Sequence, residues 1–315
     1  MILIVGGLGF IGMHACREFV QHGGGVAATR YRANRDSGLM KELFGDRLEI
    51  VPLDVTDASA VRYAFEKLSV TSVVNLLAPP PGAWSPGEEY RANMFGLINL
   101  LEASREAGVK RVTLASSLAV YHSFKRGPFR ETARLPVESG NPTEAFKKAE
   151  EILALHYADR TGLDVRIARL PGVWGPLYHS MLNFPSRVCH AAARGEPLQL
   201  TSRRGGQLHA EDASDICYVK DVARALRLLH TAPRLRHRIY NVGSGVATTN
   251  AAVVEAAAKA VPGFSAELPP GRGADAQENA YLDISRLRRD TGFEPEYDVK
   301  RGVADYIAWL RTHAE

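Results

Sequence analysis

The chain has 315 residues, 45% of them hydrophobic and 23% charged, with a formal net charge of +4, enough to bury a large core and to divide into two domains. Its three cysteines, Cys16, Cys189 and Cys217, stand far apart with no C-x-x-C spacing, which argues against a metal site and a disulfide framework and for a reducing cytoplasm. The basic residues are scattered rather than gathered on one helix, which argues against a nucleic-acid partner, and no apolar stretch approaches the roughly 18 residues of a membrane span.

Ile2-Leu3-Ile4-Val5 is a short apolar run that stops at a glycine cluster, as a strand buried on both faces of a parallel sheet does. Gly6, Gly9 and Gly12 follow with the spacing G-x-x-G-x-x-G. That spacing lets the backbone turn tightly, approach a pyrophosphate, and bring the next helix close to the strand. Phe10 to Gln21 reads as that helix, with its first N–H groups facing the phosphates. Alone the triplet would be a glycine-rich turn; between a strand and an amphipathic helix it is a strong dinucleotide signal. Apolar runs then recur at Val26–Thr29, Leu48–Val51, Ser72–Leu77, Val112–Ala115 and Val165–Ala168, separated by helix-like segments. This rhythm predicts an α/β fold, a Rossmann-type doubly wound parallel sheet. The Pro-rich stretch Ala78 to Trp84 is the long loop of the first half, and it follows a strand's carboxyl end, where such sheets bind ligands.

Taken in order, Gly6-Gly7-Leu8-Gly9-Phe10-Ile11-Gly12, Leu53-Asp54-Val55, Asn75-Leu76-Leu77-Ala78, and Asn93 with Gly96 ahead of Leu100-Leu101-Glu102-Ala103 resemble an extended short-chain dehydrogenase/reductase. More narrowly they are similar to the NAD-dependent epimerase/dehydratase family. Ala115-Ser116-Ser117-Leu118-Ala119-Val120-Tyr121, Arg169-Leu170-Pro171-Gly172-Val173-Trp174-Gly175-Pro176, Tyr218-Val219-Lys220-Asp221 and Tyr240-Asn241-Val242-Gly243 continue the likeness, which covers essentially the whole chain. The resemblance implies a dinucleotide-binding domain over 1–170 with 215–245, and a smaller C-terminal substrate domain over 171–214 and 246–315. It implies cofactor contacts at Gly6, Gly9, Phe10, Ile11 and Gly12, at Asp54 and Val55, at Leu77 and Ala78, at Lys147, and at Leu170 and Val173. It also implies a homodimer formed through the helix around Arg91 to Glu106 and the helix starting near Thr143. Phe95, Leu97, Ile98, Leu100 and Leu101 suit that contact, although a helix packed only on its own sheet would show the same pattern.

Charge speaks to the choice of dinucleotide. Where the family's NAD-binding members end the second strand with an acid, this chain has Arg30, followed by Arg32 and Arg35. An arginine attracts the 2′-phosphate that an acid would repel, so NADP is favoured and NAD remains possible.

The expected chemistry departs from the family at one position. The family's Tyr-x-x-x-Lys pair sits one turn apart on one helix face, and the resemblance gives the lysine the nicotinamide ribose and the tyrosine the proton. Here Pro142-Thr143-Glu144-Ala145-Phe146-Lys147 keeps the lysine and replaces the phenol with Thr143. A phenol starts from a pKa of about 10 and can be brought toward neutrality, which an aliphatic alcohol cannot readily match. Ser117 stands at the family's serine/threonine position. Tyr121 is a candidate substitute acid, with His122, Tyr178 and His179 behind it. Charge for an anionic substrate could come from Arg203, Arg204 or Arg272, since Ser214 stands where nucleotide-sugar enzymes commonly carry an arginine. Three readings stay open: an NADP-using oxidoreductase or isomerase acting on a sugar, nucleotide sugar or similar polar small molecule, a non-redox lyase or isomerase, and a dinucleotide-binding sensor without turnover.

Overall fold

The computed structural model describes residues 1–31, 37–78, 84–201 and 206–313. Arg32, Arg35, Arg203, Arg204 and the Pro-rich stretch 79–83 lie outside the described residues. In chain order the first elements are β1 (Ile2–Val5), α1 (Phe10–Gln21), β2 (Val26–Arg30), α2 (Ser37–Phe44), β3 (Leu48–Pro52), α3 (Ala58–Lys67) and β4 (Ser72–Asn75). They continue with α4 (Pro86–Tyr90), a π-helical turn (Arg91–Phe95), α5 (Gly96–Glu106), β5 (Val112–Ser117), a 3-10 turn (Leu118–Tyr121), α6 (Pro142–Thr161) and β6 (Val165–Leu170). Then come β7 (Gly172–Trp174), α7 (Phe184–Arg194), β8 (Ala213–Ser214), β9 (Ile216–Tyr218), α8 (Val219–Thr231), β10 (Ile239–Asn241), β11 (Thr248–Thr249), α9 (Asn250–Ala260), α10 (Ser285–Thr291) and α11 (Val299–Leu310). Local chemistry sets the ends. Asp57 accepts N–H bonds from Ser59 and Ala60 to start α3, and Ser85 and Glu88 form a reciprocal capping box on α4. Asn141 caps α6 ahead of Pro142, and Gly162 ends that helix in the left-handed conformation.

The main sheet has seven strands in the order β10-β6-β5-β4-β1-β2-β3, parallel in the pairs from β3 through to β5. β1 is the pivot: Ile2 pairs with Val26 on one side and Ser72 on the other. Strand order therefore reverses between β1 and β4, which makes the carboxyl ends of those strands the switch point where ligands bind in doubly wound sheets. Leu3, Ile4 and Val5 are all 1% exposed or less, so both faces of β1 are covered and the run has no polar alternation. Leu3, Val73 and Leu114 from the sheet pack with Leu97 and Leu101 of α5 and Phe65 of α3 in one apolar core.

The chain divides into two compact units. The first is Met1–Ser123, Leu135–Arg169 and Ala223–Tyr240; the second is Phe124–Arg134, Leu170–Val222 and Asn241–Glu315. The return to the first unit is thus shorter than 215–245, because β9 pairs with β7 inside the second unit. Phe124–Arg134 leaves the first unit because Arg126 and Phe129 bridge to Glu278 and Leu282. The second unit has its own core, with Trp174, Tyr218, Val253, Val303 and Tyr306 packed together. The buried carboxylate of Asp215 organises its loops, accepting bonds from Ser244 N at 2.9 Å, Ser244 Oγ at 2.8 Å and Leu282 N at 3.0 Å. Among the described residues no helix is long and apolar enough to cross a membrane.

Candidate dinucleotide and reaction site

A cavity of about 520 Å³ opens at the switch point of the first unit. Val5, Gly6, Leu8 and Gly9 come to it from the end of β1, Thr29 and Tyr31 from β2, Leu53 to Thr56 from β3, and Leu76 to Ala78 from β4. Trp84, Glu88, Arg91 and Ala92 close another side. The glycine turn shows why glycine is required. Gly6 has φ +75°, and a Cβ on Gly12 would lie 2.2 Å from the Gly6 carbonyl oxygen, so α1 starts closer to the strand than any side chain permits. The first turn of α1 carries no acidic side chain, so no carboxylate there opposes an anion at the helix N-terminus. This cradle fits a dinucleotide pyrophosphate.

Side-chain hydrogen bonds hold the neighbouring loops. Thr29 Oγ1 accepts from Gly6 N at 3.0 Å, and Asp54 Oδ1 accepts from Thr56 N at 2.9 Å and Thr56 Oγ1 at 2.8 Å. Asn75 Oδ1 accepts from Leu77 N at 3.0 Å, and Asn99 Nδ2 donates to Val55 O at 2.9 Å. Of the expected cofactor residues, Gly6, Gly9, Asp54, Val55, Leu77 and Ala78 line this cavity. Phe10, Ile11 and Gly12 form the first turn of α1. Arg30 is the exposed last residue of β2, between two lining residues. Leu170 and Val173 fall in the second unit and are buried there.

The expected reaction residues gather where α6 packs against β5 and the 3-10 turn. Ser117 ends β5, half-buried, its Oγ accepting from Ala119 N at 3.1 Å. Thr143 is exposed in the first turn of α6. Lys147, one turn later, is buried, and its Nζ donates to Leu77 O at 3.3 Å and to Glu150 Oε2 at 2.7 Å. Leu77 also lines the cavity, so the ammonium is bonded to a residue of the cavity wall.

Tyr121 does not suit the substitute-acid role. Its side chain is 0% exposed, and its hydroxyl accepts from Arg169 Nη1 at 2.6 Å. Arg169 forms a two-point ion pair with Glu151 at 2.9 and 2.6 Å, and Ser116 Oγ donates to the same carboxylate. Burial works against the Arg169 charge, but Glu151 and Tyr121 stabilise it and raise its pKa. The phenol is thus a partner in a buried network. His122 follows the 3-10 turn and is exposed; Tyr178, His179 and Arg272 belong to the second unit.

Sequence reasoning missed two groups. Tyr31, Trp84 and Arg91 line the cavity from separate segments, so no spacing announces them; Tyr31 and Trp84 meet edge to face with centroids 6.2 Å apart. Glu144, Lys148 and Glu150 are buried charges on α6. Lys148 Nζ donates to Glu144 Oε1 at 2.8 Å and to Pro136 O and Glu138 O, each at 2.7 Å. Burial pushes the Glu144 carboxyl up, but Lys148, the Gly140 N–H and the charge of His122 together hold it below the usual carboxylate range.

Known proteins resemble the chain along its whole length. It is 24% identical over 324 residues to UDP-glucuronate 4-epimerase of Thermodesulfobacterium geofontis (strain OPF15), covering 99% of this chain and 97% of that protein. It is 25% identical over 325 residues to dTDP-glucose 4,6-dehydratase of Streptomyces griseus, covering 99% and 94%. The crystal structure of Thermus thermophilus UDP-glucose 4-epimerase in complex with NAD superposes with a TM-score of 0.81 at 25% identity, covering 99% of each chain. The sequence profile of one family spans residues 2–243, from the first strand of the glycine turn to the last strand of the main sheet and just beyond. The chain belongs to the NAD dependent epimerase/dehydratase family.

Proposed function

We propose that the chain is an enzyme that binds a nicotinamide dinucleotide in the switch-point cavity, NADP in preference to NAD, and acts on a hydroxyl or carbonyl carbon of a sugar or nucleotide sugar. The observation that carries this reading is the joining of the glycine cradle to the Lys147 ammonium at Leu77 on one cavity. The relatives named as UDP- and dTDP-sugar enzymes support the substrate class. When bound, the dinucleotide supplies a two-electron acceptor or donor beside the substrate carbon.

The chain's own residues do the rest. The first N–H groups of α1 receive the pyrophosphate. Asp54 and Val55 border the adenine end, and Leu77 and Ala78 lie along the dinucleotide. Lys147 holds the nicotinamide ribose, and the Ser117 hydroxyl steadies the substrate oxygen. Thr143 offers an alcohol rather than a phenol, so proton transfer falls to another group: the Lys147 ammonium as a donor, a water, or the substrate's own hydroxyl. The exposed guanidinium of Arg30, at the end of β2 beside Thr29 and Tyr31, supports a 2′-phosphate. The buried thiols of Cys16, Cys189 and Cys217 suit a reducing cytoplasm. The exposed apolar side chains of α5 and α6 support a homodimer.

Titration calorimetry with NADP+ and NAD+ on the wild type and Arg30→Ala tests the cofactor half. Tighter binding of NADP+, lost in R30A, is expected; equal affinities in both proteins would remove the NADP preference. Incubation with UDP- and dTDP-sugars and isotopically labelled reduced dinucleotide tests the chemical half. Label in the product means net reduction, and conversion without net change in cofactor means epimerisation or dehydration. The exposed alcohol of Thr143 favours a second reading, a dinucleotide-binding sensor; tight binding with no conversion across the panel would establish it.

A further inference from the structure

Lys147 and Glu150 stand one turn apart on α6, with 8% and 3% of their side chains exposed. Lys147 Nζ reaches Glu150 Oε2 at 2.7 Å and Leu77 O at 3.3 Å. An ammonium has three N–H donors, so these two acceptors fix its direction and leave one donor. Its neighbours are committed elsewhere: Lys148 to Glu144, and Glu151 to Arg169. Burial pushes the Glu150 carboxyl up, Lys147 draws it down, and adjacent Glu151 raises it again.

A buried ion pair is weak support for stability, since a well-packed apolar pair of similar volume serves as well or better. The bond from this pair to Leu77, a residue of the cavity wall, points to a different use. We propose that Glu150 is a positioning residue for Lys147, its carboxylate locking the ammonium onto the Leu77 carbonyl so that the remaining N–H is directed to the dinucleotide ribose. The proposal rests on the reading of the cavity as a dinucleotide site. The charges of the pair largely cancel, so Lys147 acts as an oriented donor rather than as a positive field. That role suits a site where Thr143 provides no phenol for such a field to acidify.

Calorimetry with NAD+ and NADP+ on the full chain, with melting curves in parallel, tests it through E150Q, E150D, K147M and K147M/E150Q. E150Q is expected to weaken binding roughly tenfold or more, the effect of losing a charged hydrogen-bond partner. The conservative E150D is expected to restore most of that affinity, and K147M/E150Q to bind no more weakly than K147M, because Glu150 acts only through Lys147. An E150Q protein with wild-type affinity, or losses that multiply in the double variant, would overturn the proposal. Should the unpaired ammonium of E150Q prevent folding, the apolar pair K147M/E150L is compared with K147M; equal affinities are expected, and a further loss overturns the proposal. A wild type that binds neither dinucleotide overturns the proposed function together with this inference. One that binds while E150Q is unmoved overturns this inference alone.

Discussion

His230 is held neutral in a place where a proton would be costly. Its ring lies 2.9 Å from Thr113 Oγ1 through Nδ1 and 2.8 Å from Ser72 Oγ through Nε2, with Phe19 edge-on at 5.5 Å. Burial, helped by the charge of Arg111, pushes its pKa down from 6.5 to about 4. Between those values the unfolded chain binds a proton that the native chain refuses, so stability rises with pH across the window. The contribution is fully present above about 6.5 and is lost as pH falls toward 4, on the order of 3 kcal/mol. Urea unfolding at pH 7 and pH 4.5 should show a larger acid loss in the wild type than in His230→Asn; an equal loss in both would remove His230 as the cause. Nothing in the sequence distinguishes this histidine from a solvent-facing one, because its two partners come from β4 and β5, far away in the chain. The glycine turn is the opposite case. Its demand is made by the backbone of adjacent residues, and the crowding of Gly12 against the Gly6 carbonyl is what the spacing already implies.

At the scale of elements, α6 holds the largest departure from sequence expectation. Thr143 to Glu151 carries charges three and four residues apart, a pattern that on most helices marks a solvated face. Here Glu144, Lys147, Lys148, Glu150 and Glu151 are all buried, because the helix is covered by β5, the 3-10 turn and the segment 135–141 that precedes it. The sheet was legible because buried parallel strands are apolar without alternation. The burial of α6 was not, because its two local pairs, Glu144 with Lys148 and Lys147 with Glu150, would look the same on a solvated face. The carbonyls of Leu77, Pro136 and Glu138 and the Arg169 guanidinium, which satisfy the rest, come only with the tertiary structure. Lys148 shows the consequence. It ties the carbonyls of Pro136 and Glu138 to Glu144, fastening the segment that leads into Thr143. Lys148→Met strands the Glu144 carboxylate, and breaking a buried pair in this way costs about 3 kcal/mol. Hydrogen exchange at 137–140 should accelerate in K148M, and E144Q/K148M should recover part of the lost stability. Unchanged exchange in K148M would mean that the segment is held by other contacts.

For the whole molecule, the division into units and the assembly state rest on different kinds of pattern. The return of Ala223–Tyr240 to the first unit follows from β10 completing the main sheet, which family order suggested with wider bounds. The assembly state depended on which apolar residues of α5 and of the π-helical turn before it face inward, and a helical stripe by itself cannot say. The structure separates them: Leu97, Leu100 and Leu101 are 2%, 1% and 1% exposed and belong to the core, whereas Phe95 and Ile98 are 58% and 43% exposed. On the adjacent α6, Ile152 and Leu153 are 68% and 40% exposed. Two neighbouring helices therefore each present apolar side chains that their own sheet does not need, as subunit interfaces do. A twofold pairing of this face with its copy would cover both helices with one self-complementary contact. Sedimentation velocity should find a dimer of the 315-residue chain, and the double substitution F95E/I152E, placing like charges in the seam, should give a monomer. Because neither residue lines the cavity, that monomer should keep its dinucleotide affinity. A wild type that sediments as a monomer, or an F95E/I152E protein that remains a dimer, would show that these helices do not form the contact.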